Sequence, residues 1–494
     1  MTLTAMKQEP TIRSQSSPVS SVGQPEFPSL TEDLTTEVVV VGGGIAGLSV
    51  AYALTRAGRK CVVIERNLVG GATGLVSSAH LADAIDGRYF RLQKIYGIEN
   101  SRGAAKSHSA AINHIDEIVA REHIECDFKR LDGYLFLHPS DRIKTLRQEF
   151  EASRLAGLRT ELVRNAPGIR LRERISLKFP AQAQFNPWHY AYGLCRAITD
   201  HGGKIFTHTR AVEIDETGVR TTHARISADH VVIATNAPGN NHTRQLAYQS
   251  YMMGATITKG SIDPALWWDT GDQHSVWSTC PYHYARIHPL NDEFDLLVCG
   301  GEDHKTGEAD DVGETDRFAN LEAWAYDHFP GILHVVHKWS GQLTEPVDAL
   351  GYIGRSPGKE NIFVVTCDAG NGLTYAAIAG MLIPDLIEKR ANPWEELYDP
   401  SRSTVEVLSE FLTEASDLSV RYLDFRTPGD AESEHALSHD EGAIIRIHGK
   451  RIAVYRDSEG SLHARRANCP HEGCSLRWNS IEKTFDCPCL EVQA

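Results

Sequence analysis

Apolar and polar positions along the first part of this chain change period in a regular order. Val38–Val41 is a continuous apolar run that predicts a buried strand, and Ile45–Arg56 has the spacing of a helix. Gly58 stands where helices commonly end, and the apolar run Cys61–Ile64 predicts the next strand. The pattern therefore predicts a strand–helix–strand unit with a tight first turn.

A similar pattern returns much later in the chain. Ile362–Thr366 predicts a strand, Gly370–Gly372 a glycine-rich turn, and a helix is predicted from Thr374. Between the two units, the stretch ADHVVIATNAP predicts a strand that ends near Ala234. Two helix N-termini thus follow glycine-rich turns, which is an arrangement suited to anionic ligands.

The middle of the chain contains a predicted amphipathic helix and a predicted hairpin. The helix carries Ile112, Ile115 and Val119 on one face, and we expect its two histidines, His108 and His114, to be solvated. In the hairpin, side chains alternate around Tyr282, Tyr284 and Arg286, the chain turns at Asn291–Asp292, and it returns as the strand Leu296–Cys299.

The pattern changes again near the C-terminus. Residues 391–432 predict a linker that contains one helix. From residue 433, short alternating strands with turns at Gly449–Lys450 and Ser458–Gly460 predict a small all-β domain.

Composition narrows the possible functions. The chain has 494 residues, enough for two or three domains, and a net charge of −15, which argues against binding nucleic acid or anionic membranes. The sequence has no apolar run long enough to span a bilayer. Residues 1–35 lack the apolar segment of a secretory signal and are expected to be a disordered leader. Isolated cysteines in apolar contexts suit a reducing compartment, so we expect a cytoplasmic protein.

The first turn carries the glycine pattern of a dinucleotide-binding site. Gly42 permits the tight turn, Gly44 lets the backbone approach a pyrophosphate, and Gly47 lets the helix pack against the strand. Glu65, at the end of the second strand, is placed to accept hydrogen bonds from ribose hydroxyls. A carboxylate there would repel a 2′-phosphate, so NADP is not expected. The loop that follows is rich in Gly, Ala and Ser, so its backbone has room to run close to a flat ring.

Together these motifs resemble the D-amino-acid-oxidase-like flavoproteins, a group that includes glycine and sarcosine oxidases. The stretches that carry the resemblance are GGGIAG, the acid at Glu65, the GATG loop, ATNAP and the late WSGQ…DALGYIGRSP…DAGNGLT. The resemblance implies FAD, held by Gly42, Gly44, Ile45, Ala46, Gly47, Glu65, Arg66, Ala72, Thr73, Gly74, Ala234, Gly354, Gly370, Asn371, Gly372, Leu373 and Thr374.

The same resemblance implies an α/β fold in which two domains interleave along the chain. A Rossmann-like FAD-binding domain would comprise residues of about 36–98, 165–240 and 345–390 within the unit 36–390. A mixed-sheet α+β substrate domain would comprise residues of about 99–164 and 241–344. The helix beginning at Gly372–Thr374 would lie near the flavin ring, where its dipole stabilises negative charge.

The predicted hairpin supplies the candidate catalytic residues. In the resembled family an equivalent hairpin lines the substrate side of the flavin, so Tyr284 and Arg286 are candidates for holding a substrate carboxylate. His304 and Lys305 follow in the next turn and are further candidates. The alternative for all four is structural: alternating aromatics are usually core, and a turn explains the last two equally well.

The last residues contain four cysteines and a histidine in the order C-P-H…C…C-P-C. A Rieske [2Fe–2S] cluster uses two cysteines and two histidines from two loops, and residues 433–494 resemble that domain. The resemblance implies that Cys469, His471 and Cys487 ligate iron, and that Cys474 and Cys489 form a disulfide.

The fourth ligand of that pattern is absent. Residue 490, where the pattern requires histidine, is Leu490, and the strands that normally follow are missing. Three explanations remain: a truncated version of a longer protein, which we favour, a degenerate domain without a cluster, or a zinc site of three cysteines and one histidine.

The combination predicts an FAD-dependent oxidoreductase, an amine or amino-acid dehydrogenase or oxidase. A small amine or amino acid would lose a hydride to the flavin, and electrons would pass through the Rieske-type centre to an external acceptor. The alternatives are an electron-transfer flavoprotein without a small-molecule substrate, a redox-silent FAD-binding protein, and a flavin-only enzyme with a non-functional Rieske domain.

Overall fold

The computed structural model describes most of the chain. The described residues are 25–70, 77–171, 175–236, 245–275, 281–306, 314–346, 348–366, 370–402, 433, 436–447, 450–468, 475–480 and 483–486. The helices are α1 (Ile45–Arg56), α2 (Tyr89–Arg121), α3 (Ile143–Leu155), α4 (Pro187–Asp200), α5 (Glu314–His328), α6 (Gly372–Ile387) and α7 (Glu395–Tyr398).

The strands fall into four sheets. They are β1 (Leu34–Val41), β2 (Cys61–Ile64), β3 (His80–Leu81), β4 (Lys129–Phe136), β5 (Glu161–Val163), β6 (Ser176–Gln184), β7 (Lys204–Phe206), β8 (Ala211–Asp215), β9 (Gly218–Thr221), β10 (Arg225–Ile233), β11 (Gln245–Thr258), β12 (Leu266–Asp269), β13 (Tyr284–Pro289), β14 (Phe294–Lys305), β15 (Ile332–Pro346), β16 (Tyr352–Arg355), β17 (Ile362–Thr366), β18 (Glu441–Ile447), β19 (Lys450–Arg456), β20 (Leu462–Arg466), β21 (Arg477–Asn479) and β22 (Thr484–Asp486).

The first sheet contains both predicted glycine-turn units, with β10 between them. Its strand order is β16-β17-β10-β1-β2-β7, with β8 and β9 attached to β10. β1 pairs in parallel with β2 and with β10, and β10 pairs in parallel with β17. Because the carboxyl ends of parallel strands share one edge, β1 and β17 end at the same edge of the sheet.

Helices α1 and α6 pack against each other on this sheet. Gly380 of α6 allows the close approach, because a Cβ atom there would lie 3.0 Å from the carbonyl oxygen of Ser49 in α1. The side chains between them, including Leu48, Ile378 and Leu382, are fully buried. The predicted limits of α1, β2 and β17 agree with the structure.

The second sheet is mixed and large. Its order is β15-β11-β14-β13-β12-β4-β6-β3, with β5 beside β6. The predicted hairpin is confirmed as β13 and β14, with Tyr284 opposite Gly300. Helix α5 covers one face of this sheet through Phe318, Leu321 and Ala325.

The division of the chain between the two sheets differs from the predicted segments. β6, within the predicted FAD-binding segment 165–240, belongs to the second sheet. Helix α2, most of which lies in the predicted substrate segment 99–164, packs against α6 of the first sheet. The chain therefore passes between the two sheets more often than the predicted segments, which came from the resemblance, indicated.

The expectation that His108 is solvated was wrong. His108 is fully buried, and its ring meets the edge of Tyr375 of α6 at a centroid distance of 4.8 Å. Burial lowers the pKa of His108 to about 4, so its ring is neutral. The apolar pattern of α2 predicted only one buried face of the helix. It did not predict that α6 would cover a second face, the one that carries His108.

Strands β18, β19 and β20 form an antiparallel sheet near the C-terminus, and β21 and β22 form a two-stranded sheet. The predicted turn at Ser458–Gly460 is present, with Gly460 at a φ of 86°. The predicted linker helix in residues 403–432 and most of the predicted leader lie outside the described residues. Within the described ranges, none of the helices has both the length and the apolar character needed to cross a bilayer.

Candidate active site

Two positions, one in the turn after β1 and one in the first turn of α1, accept only glycine. Gly42 has a φ of 115°, and a Cβ atom there would lie 2.4 Å from the carbonyl oxygen of Ala234. A Cβ atom on Gly47 would lie 2.0 Å from the carbonyl oxygen of Gly42. Both distances are shorter than any real Cβ contact, so these glycines bring α1, β1 and the end of β10 into direct contact.

The N-terminus of α1 is available to a ligand. Gly44 is the N-cap residue and has no side chain to cap the helix. The N–H groups of the first turn, including those of Ile45, Ala46 and Gly47, have no partner within the helix. Free N–H groups and the positive end of the helix dipole form a phosphate site, so this turn fits the pyrophosphate of FAD.

Glu65 is held beside this turn by the backbone. Its Oε2 atom accepts a hydrogen bond from Gly43 N at 2.8 Å, and its Oε1 atom accepts one from Asn67 N at 2.9 Å. The carboxylate therefore has a defined orientation and retains acceptor capacity for ribose hydroxyls. Arg66, by contrast, is exposed.

The other predicted cofactor residues have different positions. Ala234 ends β10 and donates its N–H to the carbonyl oxygen of Val41 at 2.8 Å, so it closes the edge of the cradle. Gly354 lies on β16 and packs against Pro400, since a Cβ atom there would lie 2.8 Å from Pro400 Cδ. Ala72, Thr73 and Gly74 lie outside the described residues.

A cavity of about 140 Å³ lies between the N-terminus of α6 and the β13–β14 hairpin. Gly370, Asn371, Gly372 and Leu373 form its α6 side, whereas Thr374 is buried and its hydroxyl donates to the carbonyl oxygen of Asn371. Gly370 has a φ of 72°, and a Cβ atom there would lie 2.0 Å from Asp86 Oδ2. The helix terminus is therefore open toward the cavity, as the site of a flavin ring requires.

The second sheet supplies the opposite wall. Trp268, Tyr282, Tyr284 and Met252 line it with aromatic and apolar surface. The remaining lining residues are Ser77, Ser78, Ala79, His80, Ala82, Ala84, Asp86, Ser250, Asp303, Gly341, Gln342, Leu343 and Glu345.

Of the four predicted catalytic residues, only Tyr284 lines the cavity in the structure. Its hydroxyl lies 3.2 Å from the Ser250 hydroxyl. Arg286 does not line the cavity: it is buried, and its Nε donates a hydrogen bond to the carbonyl oxygen of Ser78. Burial lowers the pKa of Arg286 to about 10, so its guanidinium keeps its charge at neutral pH.

His304 and Lys305 do not line the cavity, but their neighbour Asp303 does. A regular strand with Val298 and Gly300 on the cavity side would also place residues 302 and 304 there. The β11–β14 pairing shifts register at this end, and Glu302 has a φ of 59°. Beyond this bulge the alternation of side chains is therefore moved by one residue, so that Asp303 rather than His304 faces the cavity. Sequence analysis missed Asp303 because it did not use the local signal of this bulge, the paired glycines Gly300 and Gly301 within the strand.

The titratable groups of the cavity have strongly shifted pKa values. Burial raises the pKa of Asp303 to about 7 and that of Asp86 to about 6. Burial, together with the nearby Arg286 charge, lowers the pKa of His80 to about 3. Near neutral pH the cavity therefore contains a neutral histidine and carboxyl groups that exchange protons.

A second charged cluster, which the sequence did not indicate, lies on β12–β14. His283 Nδ1 lies 3.2 Å from Asp269 Oδ2, and His283 Nε2 lies 2.9 Å from Glu302 Oε1. The His283 ring stacks on Trp324 at 4.9 Å. Groups of His138, Asp269 and His283 lie within 4.8 Å of one another, but both ring nitrogens of His283 face carboxylates, so hydrogen bonding accounts for the arrangement.

The predicted iron ligands Cys469, His471 and Cys487, the predicted disulfide partners Cys474 and Cys489, and Leu490 lie outside the described residues. The flanking residues fit a two-loop site. Arg477 pairs with Asp486 in the β21–β22 hairpin, which places the chain just after Cys474 beside the chain just before Cys487. An antiparallel bridge joins Asn468 and Ser475 around the first segment.

Comparison with known proteins agrees with this geometry. The family model for FAD dependent oxidoreductases (DAO) matches residues 37–386, and the model for the Rieske [2Fe-2S] domain matches residues 430–493. A Bacillus subtilis protein described as a putative Rieske 2Fe-2S iron-sulfur protein, YhfW, is 29% identical over 482 residues, covering 95% of this chain and 92% of that protein.

Two further proteins resemble the flavin part. Gamma-glutamylputrescine oxidoreductase of Escherichia coli is 27% identical over 384 residues, covering 75% of this chain and 87% of that protein. The crystal structure of glycine oxidase from Geobacillus kaustophilus superimposes with a TM-score of 0.60 at 18% identity, covering 75% of this chain and 99% of that one. At this identity the structural match shows the fold alone.

These matches confirm the predicted fold class, the predicted enzyme class and the two predicted cofactors, FAD and a [2Fe–2S] cluster, at the level of the families. The glycine cradle, Glu65 and the open α6 terminus are the residues that fit the flavin. The chain belongs to the family of FAD-dependent oxidoreductases of the DAO type and carries a Rieske [2Fe-2S] domain after it.

Proposed function

We propose that the chain oxidises a small amine or amino acid in the cavity between α6 and the β13–β14 hairpin. The observation that carries the proposal is the position of this cavity. It joins the open helix terminus at Gly370–Leu373 to a wall formed by Trp268, Tyr282 and Tyr284. A flat cofactor on the helix side leaves the aromatic wall to face a small substrate.

The residues of the chain have separable tasks in this reaction. When bound, the flavin accepts a hydride from the carbon next to the amine nitrogen. The aromatic wall excludes water from the substrate, and the positive end of α6 stabilises negative charge at the nearby flavin edge. Asp303, whose pKa burial raises to about 7, is placed to exchange a proton with the amine.

The relatives support the substrate class. The names of two similar proteins, gamma-glutamylputrescine oxidoreductase and glycine oxidase of Bacillus licheniformis, refer to an amine and to an amino acid. The glycine oxidase is 25% identical over 401 residues. A carboxylate role for Arg286, and catalytic roles for His304 and Lys305, remain predictions.

The Rieske domain supports a second part of the proposal, transfer of electrons to an external acceptor. When bound, a Rieske cluster supplies one-electron transfer. The donor set of this chain is one histidine short, because residue 490 is leucine. We therefore derive the substrate chemistry from the flavin half alone, and Leu490 favours a flavin-only enzyme as the second candidate function.

An anaerobic experiment tests the substrate chemistry. The FAD-loaded full-length chain is mixed with a panel of small amines and amino acids while the flavin absorbance is followed. Bleaching by at least one of them, with release of the matching carbonyl product, is the expected result. Reduction only by NADH or by a partner protein would instead identify an electron-transfer flavoprotein.

Metal analysis tests the second part. Iron and acid-labile sulfide are measured per bound FAD, with an EPR spectrum after reduction. Two irons per FAD with a Rieske-type signal would support electron transfer through the C-terminal domain. FAD without iron would confine the activity to the flavin half.

The buried free thiols of Cys61, Cys126, Cys195 and Cys299 support a cytoplasmic location.

A further inference from the structure

We propose that the cavity selects an amine without a carboxylate beside the reacting carbon, and that Asp303 is the counter-charge for its ammonium group. This inference rests on the proposed function and narrows its substrate class. It runs against the sequence-based expectation that Arg286 holds a substrate carboxylate.

The charges that line the cavity are of one sign. Among the lining residues that the structure describes, three are acids, Asp86, Asp303 and Glu345, and none is lysine or arginine. His80, the one histidine among them, has both ring nitrogens within hydrogen-bond distance of oxygens of Ser78 and Ala285. A substrate carboxylate would meet repulsion here, whereas an ammonium group would meet attraction.

The arginine that the sequence singled out does not line the cavity. Arg286 shares a face of the hairpin with Tyr284 but is buried, and its Nε donates to the carbonyl oxygen of Ser78, which does line the cavity. Its guanidinium therefore contributes no lining surface that a substrate in this cavity would contact. A bidentate arginine–carboxylate pair needs direct contact of both groups, which this arrangement does not provide.

The three acids are not equivalent. Asp86 and Glu345 lie beside Gly370, where the positive end of the α6 dipole offsets their charge. Asp303 lies on the opposite wall, near the end of β14. Its Oδ1 atom is buried and has no hydrogen-bond partner among the described residues. A buried carboxylate oxygen of this kind lacks a donor that an ammonium N–H would supply.

The rest of the wall also suits a cation. Trp268, Tyr282 and Tyr284 line the cavity together with Asp303. Aromatic faces attract ammonium groups and give a carboxylate no comparable interaction. Charge, hydrogen bonding and aromatic surface therefore favour the same ligand.

The proton balance of the reaction follows. The N–H bond of the bound ammonium breaks and its proton passes to the Asp303 carboxylate, which leaves a neutral amine. With FAD bound, the nitrogen lone pair would form the C=N bond as the adjacent carbon lost its hydride to that cofactor. Water would hydrolyse the resulting iminium to a carbonyl compound and an ammonium ion, which carries away the remaining positive charge.

Two probes that cannot be oxidised test the binding preference without turnover. tert-Butylamine and 2-aminoisobutyrate both carry nitrogen on a carbon without hydrogen, and the second has a carboxylate where the first has a methyl group. Their binding to the oxidised, FAD-loaded full-length chain is measured by perturbation of the flavin spectrum and by tryptophan fluorescence, since Trp268 lines the cavity.

We expect tert-butylamine to bind at least about ten-fold more tightly than 2-aminoisobutyrate. Asp303→Asn should weaken the binding of tert-butylamine by about 10- to 100-fold, as expected for loss of a charged hydrogen bond. Asp132→Asn is the matched control, because Asp132 pairs with Lys178 away from the cavity, and it should leave both affinities unchanged.

Equal or tighter binding of 2-aminoisobutyrate would overturn the inference, and so would failure of both probes to bind or an unchanged affinity in Asp303→Asn. If the Asp303→Asn variant loses FAD, the relative affinity of the two probes for the unaltered chain becomes the measurement that tests the inference. Flavin reduction by amino acids together with preference for 2-aminoisobutyrate would leave the proposed function standing. Absence of reduction by any amine or amino acid would instead remove the proposed function itself.

Discussion

The backbone nitrogen of Gly43 donates a hydrogen bond of 2.8 Å to Oε2 of Glu65. This bond links the glycine turn after β1 to the acid after β2, and a Cβ atom on Gly43 would lie 2.9 Å from the Glu65 Cβ. The phosphate-binding turn and the ribose-binding acid therefore form one unit, and a change in either alters the position of the other.

Glu65→Ala should weaken FAD binding about ten-fold or more. The substitution removes the ribose acceptor and also leaves Gly43 N without its partner, and each lost hydrogen bond of a charged group is worth about 1.5–3 kcal/mol. The measurement is the dissociation constant of FAD by fluorescence. Glu213→Ala, an exposed acid paired with Arg220, is the control and should retain full affinity.

Gly47→Ala should abolish FAD retention and destabilise the fold. Its Cβ atom would lie 2.0 Å from the Gly42 carbonyl oxygen, so α1 must move away from β1. We expect a loss of more than about 2 kcal/mol in the free energy of unfolding by urea titration.

Gly58→Ala at the other end of α1 provides the comparison. It has a φ of 83° but meets nothing within 4 Å. Strain alone should cost about 1 kcal/mol, with FAD retained. Similar behaviour of the two alanine variants would contradict the argument from close packing.

Gly370→Ala should impair flavin binding near the ring rather than at the phosphates. The methyl group would lie 2.0 Å from Asp86 Oδ2, and the φ of 72° is unfavourable for alanine. The expected result is a chain that still binds adenosine diphosphate but holds FAD at least about ten-fold more weakly. If adenosine diphosphate and FAD both bound equally more weakly, the substitution would be disturbing the whole domain. Gly358→Ala, with a φ of 73° and open surroundings, is the control.

His283 predicts a loss of stability at alkaline pH. Burial alone would lower the pKa of His283, but hydrogen bonds to Asp269 and Glu302 raise it to about 9, above the ordinary value near 6.5. A raised pKa in the folded state means that protonation favours folding. The stabilisation is complete below about pH 6.5 and is lost as the pH rises through about 9.

Urea unfolding between pH 6 and 10 checks this prediction. The stability of the unaltered chain should fall by up to about 3 kcal/mol across that window. His283→Gln should be less stable at pH 6 and should lose this pH dependence, whereas His223→Gln, an exposed histidine, should keep it. A flat profile for the unaltered chain would mean that His283 is neutral in the fold.

Local sequence determined the first half of the flavin site. The limits of α1, β2 and β17 follow from apolar runs and from glycine positions, because strand ends and helix ends depend on nearest neighbours in the chain. The roles of Gly42 and Gly47 also follow from spacing, since a tight turn and a close helix–strand contact have few solutions. The C-terminal cysteines and His471 resemble the ligand pattern of the Rieske domain, and the family match over residues 430–493 confirms that domain.

Tertiary structure decided which side chains meet in the cavity. Asp303 lines it in place of His304 because a bulge at Glu302 moves the alternation of β14 by one residue. Arg286 is buried and donates a hydrogen bond to the carbonyl oxygen of Ser78, and His108 is covered by α6. These positions depend on strand register and on the packing of segments hundreds of residues apart. Periodicity describes one element at a time, so it contains no information about which face a distant element will cover.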